Sequence, residues 1–192
     1  MFITAGFISA IVLIVNAAKR AEILALSPAT QLVAPVAQLA AIGLIVGIFA
    51  ATPAIRGRLG SIGVVLYVAS LVGLVGVEFV INLVFPYVGP EIVAELRAGP
   101  LGIAFTVVSI SFLLGTIVFF TALWRVARSP KVAIIVSVIS SAAIALRAAL
   151  PEALLQVGLV GLAVGISLLA VWLVRVGRSS AAEVAARAPA LV

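Results

Sequence analysis

Hydrophobic residues in this chain neither alternate nor keep a helical stripe; they fall into long runs separated by short polar breaks. About 20 apolar residues make a helix that crosses a hydrocarbon core of about 30 Å. Six stretches meet that length, at residues 2–18, 32–51, 61–85, 101–126, 132–150 and 153–174. The pattern predicts an all-α polytopic transmembrane bundle of six spans, with residues 1–178 as one membrane domain and 179–192 as a polar cytoplasmic tail.

The breaks punctuate this reading. The first run starts directly after Met1; a signal peptide is the competing interpretation, but a basic leading segment is missing and Asn16-Ala17-Ala18-Lys19 makes a poor cleavage site. Helix one is expected to continue through Glu22 until Ser27-Pro28 stops it. Pro35 falls in the first turn of helix two, where its missing N–H is tolerated. Between runs three and four, Pro90 opens and Gly99-Pro100 closes a short stretch with Ile92, Val93 and Leu96 on one face and Glu91 and Glu95 on another. That stretch, near 90–99, reads as an amphipathic helix on the membrane surface, with the two acids as its solvated side. Ser180 with Glu183 would cap a short helix in the tail.

Composition agrees with the pattern: 65% of the 192 residues are hydrophobic and 9% charged, with a mean hydropathy of +1.43. No soluble domain hides that much apolar surface from water. The net charge of +6 is no nucleic-acid footprint, because the basic residues stand at the ends of the runs. Given six spans, Arg56, Arg58, Arg125, Arg128, Lys131, Arg175, Arg178 and Arg187 share the side of the termini, while Lys19, Arg20, Arg97 and Arg147 lie opposite. The excess of positive charge places both termini in the cytoplasm and the chain in the cell membrane. Trp124 and Trp172, each just before an arginine, mark the same interface.

The chain has no Cys, no His and no Asp; its six acids are all glutamates. Thiolate nucleophiles, disulfides, Ser-His-Asp triads, aspartyl dyads and Cys- or His-ligated metals and haems are excluded, so neither a catalytic residue nor a metal or cofactor ligand is assigned. One acid interrupts a hydrophobic run, Glu78 in the third. A charge at membrane depth costs several kcal/mol unless paired or wetted, which singles this residue out. On the six-span topology Asn16, Gln38, Glu78, Asn82, Arg147 and Gln156 fall at similar depth in the outer half of their helices. Glu78 and Asn82, four apart, share a face, and Arg147 is the expected ion-pair partner of Glu78, with the 90–99 helix as a lid. The alternative for this cluster is structural: helix ends are more polar than helix centres, and an arginine near an end snorkels to the interface. Gly43 with Gly47, and Gly161 with Gly165, have the spacing of close helix packing, whether inside the chain or against another protein.

Leu114-Gly115 through Ala122-Leu123-Trp124-Arg125, the turn at Ser129-Pro130, the small-residue helix closing at Pro151 and the final helix with Gly161, Gly165 and Trp172 resemble a group of bacterial six-span membrane proteins known as domains of unknown function. The likeness covers about the last two-thirds of the chain and implies the fold alone. The chain departs from that group in having Ser27-Pro28 where a His-Pro pair is expected after helix one.

Three functions are compatible with this inventory. The one it favours is a non-catalytic accessory or structural subunit of a larger membrane protein complex, held in the lipid bilayer and docked to membrane protein partners through small-residue faces. The second is a small proton-linked or solute carrier using Glu78 with Arg147. The third, disfavoured because no base stands beside a nucleophile, is an intramembrane lipid-acting enzyme.

Overall fold

The computed structural model describes residues 1–147 and 149–187. Its described residues form eight α-helices: α1 (Phe2–Arg20), α2 (Pro28–Val33), α3 (Val36–Ala51), α4 (Arg58–Leu83), α5 (Pro90–Ala98), α6 (Pro100–Trp124), α7 (Lys131–Ala145) and α8 (Glu152–Arg187). Single 3₁₀ turns follow α3 and α4. Five segments are long and apolar enough to cross a membrane: Phe2–Arg20, Pro28–Ala51, Arg58–Tyr87, Pro100–Trp124 and Glu152–Arg178. This is compatible with a multi-pass membrane protein.

The long helices pack as a ring. α4 lies on α6, α6 meets α7, α7 lies on α8, α8 on α1, α1 on α3, and α3 returns to α4. Neighbours in the ring run antiparallel, so one end of the bundle collects the C-termini of α1, α4 and α7. We call it the polar end.

The tightest seam joins α4 to α6. A Cβ on Gly63 would stand 2.8 Å from the Phe119 backbone, and one on Gly115 would stand 2.7 Å from the Tyr67 backbone. Two glycines facing two backbones let the helices touch without side chains between them. The aromatic rings then pack beside the seam: Tyr67 lies 5.8 Å from Phe112 and 5.9 Å from Phe119, all three buried. The expected packing glycines are also used inside the chain, Gly43 against Ala5, Gly47 against Phe2, Gly161 against Ser140 and Gly165 against Ser137.

Several boundaries differ from the sequence expectations. α1 stops at Arg20 rather than Ser27-Pro28, because Glu22 adopts a left-handed conformation (φ 58°) and the Ile23 and Glu22 amides turn back to the Ala18 and Lys19 carbonyls. Ser27-Pro28 instead starts a helix: the Ser27 hydroxyl caps the Thr30 amide and Thr30 Oγ1 accepts from the Ser27 amide. Pro35 therefore sits inside a helical stretch, and its missing N–H breaks α2 from α3. α7 ends at Ala145, short of residue 150, and turns at Leu146 before Pro151. α8 runs without a break to Arg187, so no separate helix begins at Ser180. The expected tail beyond residue 187 lies outside the described residues.

Candidate functional site

At the polar end the ring is not filled. A cavity of about 230 Å³ is lined by Asn16, Lys19 and Arg20 of α1, Gln38 of α3, Glu78, Ile81 and Asn82 of α4, Ile144 and Arg147 at the end of α7, and Leu155 and Leu159 of α8. Leu26 and Pro86, from the connections after α1 and α4, stand at its rim. Gln38, Glu78, Ile144, Arg147 and Leu159 also border a tighter pocket of about 50 Å³ further along the axis. That pocket takes residues from α1, α3, α4, α6, α7 and α8, including Ser9, Tyr67 and Ser109 among aliphatic side chains. Glu78 and Arg147 thus stand where a polar chamber narrows into an apolar one.

Helical spacing explains how single helices supply their shares. Tyr67, Leu71, Leu74, Glu78 and Asn82 recur every three or four residues and form one stripe down α4. Ser9, Leu13, Asn16, Lys19 and Arg20 do the same on α1.

A chain of hydrogen bonds crosses the chamber. Lys19 Nζ donates to Asn82 Oδ1 and, at 3.4 Å, to the Thr30 carbonyl. The Asn82 amide nitrogen donates to Glu78 Oε2 at 2.8 Å and to the Glu78 carbonyl at 2.9 Å. The amide of buried Asn82 links a half-buried lysine on α1 to a half-buried carboxylate on α4. The break at Pro35 is bound into the same wall: Asn16 Nδ2 donates to the Ala34 carbonyl at 3.3 Å, and the Gln38 amide, assigned the orientation that satisfies its surroundings, donates to the Ala34 and Pro35 carbonyls at 3.2 Å. Tyr87 donates to Gln31 Oε1 at 3.1 Å and ties the turn after α4 to α2.

The expected Glu78–Arg147 ion pair is not formed. Both residues line the cavity and Arg147 lies in the field of Glu78, but the salt bridge among the described residues joins Arg20 to Glu152 at 3.3 Å. The Arg147 guanidinium instead stands over the Phe105 ring, 5.9 Å from its centroid. On the other side, Glu78 Oε2 accepts from Asn82, whose oxygen accepts from Lys19, so acid and arginine each turn to a different neighbour. Gln156 does not line the cavity; its amide donates to the Arg20 carbonyl at 3.2 Å and fastens α8 to the end of α1. Nor does α5 cover the chamber, since it packs on α6, and Pro86 and Leu26 form the rim.

Lys19 and Arg20 were counted in the sequence as topology charges, and their place in the site was missed. The signal was present, because Lys19 lies three and Arg20 four residues after Asn16 on the same helix. Ser9 and Tyr67 carried no such signal, since a hydroxyl in an apolar run most often serves its own helix. No protein-family model matches the chain, and neither a curated protein nor a solved structure is found that matches it.

Proposed function

We propose that this chain is a small membrane carrier that binds a polar solute bearing a carboxylate or similar anionic group between Lys19 and Arg147, with Glu78 facing the rest of the solute. One observation carries this reading: a cavity in the ring is lined by Lys19, Arg147 and Glu78, of which Arg147 has no carboxylate within ion-pair distance among the described residues. Arg20 is already matched by Glu152. Two cations then face one acid in a chamber of about 230 Å³, and an anion entering it would complete the balance. The Glu78 carboxyl offers either an acceptor for an amine or hydroxyl donor or, when protonated, a proton for coupled transport.

This reading includes six crossings, with α7 as the sixth. Its 15 residues span about 22 Å, and Lys131, stacked 4.0 Å from the Trp124 ring centre, anchors its start at an interface. It also includes cytoplasmic termini, from the distribution of Lys and Arg, and α5 lying on the opposite surface. The accessory-subunit alternative drew on small-residue faces for docking. Gly43, Gly47, Gly161 and Gly165 pack within the chain, which favours the cavity over those faces as the working surface.

The test is a thermal-shift screen of small carboxylates and amino acids against the purified protein, followed by uptake of each stabilising solute into proteoliposomes. Arg147→Gln and Glu78→Gln are expected to lower uptake at least about tenfold, the loss of one charge-assisted contact. A solute transported equally well by both variants and the wild type would remove the proposal.

A further inference from the structure

A second and larger cavity, about 490 Å³, opens at the polar end between the first turns of α6 and the end of α7. α6 and α7 are joined by a tight turn at their other ends, and they part here. The walls are mainly apolar, with Ile81, Phe105, Ile110, Leu146 and Leu155 beside Thr106 and Ser109, and Ile110 and Leu146 are exposed on the flank of the bundle. At the top stand Arg20, Arg97 and Arg147 with a single acid, Glu152, which is paired to Arg20.

Arg97 and Arg147 have no carboxylate within ion-pair distance among the described residues. Each is held by an aromatic face, Arg97 at 5.2 Å from the Phe85 ring centre and Arg147 at 5.9 Å from that of Phe105. Arg147 feels the like charges of Arg97 and Arg20. Glu78 and Glu152 offset part of this repulsion without forming an ion pair to Arg97 or Arg147, and an anion between those two guanidiniums would relieve the rest. A groove whose top is cationic and whose length is apolar and open sideways matches one chemistry, an anion attached to a hydrocarbon chain.

We propose that this groove binds one anionic phospholipid, its phosphate between Arg97 and Arg147 and an acyl chain along Phe105, Ile110 and Leu146. The site requires the bundle to sit in a bilayer, and it does not require the central cavity to carry a solute. Arg147 borders both cavities and would serve one anion at a time, whereas Arg97 and Ile110 belong to the groove and do not line the central cavity.

The experiment is native mass spectrometry of the detergent-solubilised chain with equal amounts of dioleoyl-phosphatidylglycerol and dioleoyl-phosphatidylcholine. One phosphatidylglycerol is expected to be retained per chain, about tenfold or more over phosphatidylcholine for two arginine contacts, with Arg97→Gln reducing that preference about fivefold. Ile110→Trp, which leaves every charge in place and obstructs the groove, is expected to reduce retention of the same lipid. Gel filtration of both variants checks that they fold. Glu78→Gln removes an opposite charge from the field of Arg147 and is expected not to lower lipid retention even if solute uptake is lost, which separates this site from the carrier reading. Equal retention of the two lipids overturns the proposal, as does a phosphatidylglycerol preference unaltered in both folded groove variants. Displacement of the lipid by millimolar glycerol phosphate also overturns it, by making the site one for a free anion.

Discussion

Asn82 donates its side-chain amide to Glu78 Oε2 at 2.8 Å, one helical turn away on α4, while its own oxygen accepts from Lys19 of α1. The half-buried acid is therefore answered by a neutral amide that relays a cation, and both helices are held at the depth where the chamber narrows. Replacing Asn82 with Leu removes both bonds and leaves Lys19 and Glu78 partly buried without their partner. The expected cost is about 1–3 kcal/mol, read as a lower unfolding temperature in detergent. Asn82→Asp restores an acceptor for Lys19 and adds an anion where two cations face one acid, so it is expected to be more stable than the Leu variant although it loses the amide bond to Glu78. Unfolding temperatures equal to wild type in both would show that the relay does not hold the helices.

Glycines of the packed pair α4 and α6 separate into two kinds. A side chain at Gly115 meets the Tyr67 backbone, whereas a Cβ at Gly76 has no neighbour within 4 Å. Gly115→Val is expected to destabilise by at least about 2 kcal/mol through overpacking against a backbone that cannot yield. Gly76→Ala is expected to stabilise by about 0.5–1 kcal/mol by raising helix propensity. Urea or thermal unfolding of the two variants side by side checks the contrast.

Glu22 closes α1 with a positive φ of 58°, where a side chain costs about 1 kcal/mol that glycine avoids. Glu22→Gly is expected to raise the unfolding temperature slightly. Glu22→Val, with a branched Cβ in the same conformation, is expected to lower it. The opposite order in a thermal melt would mean that the carboxylate contributes more than the backbone strain removes.

The charge asymmetry of the connections predicts that cysteines introduced at Ser180 and at Ala94 of this cysteine-free chain label from opposite sides of the cell membrane, Ser180 from within. Labelling of both from outside would reject the six-crossing arrangement.

Sequence alone determined that this chain is helical and, at five of the six places expected, that a segment of membrane-crossing length stands there, because hydrophobic length is a local property written residue by residue; the sixth, α7, is shorter than its apolar run. It also singled out Glu78, since an acid in an apolar run stands out without knowledge of its neighbours. It misjudged what stops and starts the helices near Pro28 and Pro35, where a serine cap and a left-handed Glu22 decide the boundary. Only the tertiary structure decided the partners. α3, α4 and α6 are apolar almost all round, so hydropathy does not specify how each is rotated about its axis. That rotation is settled by close packing, as where Gly63 and Gly115 admit backbones. It is this packing that brings Lys19 rather than Arg147 to the Asn82–Glu78 pair, sends Gln156 to the end of α1, and leaves Arg147 and Arg97 facing a groove.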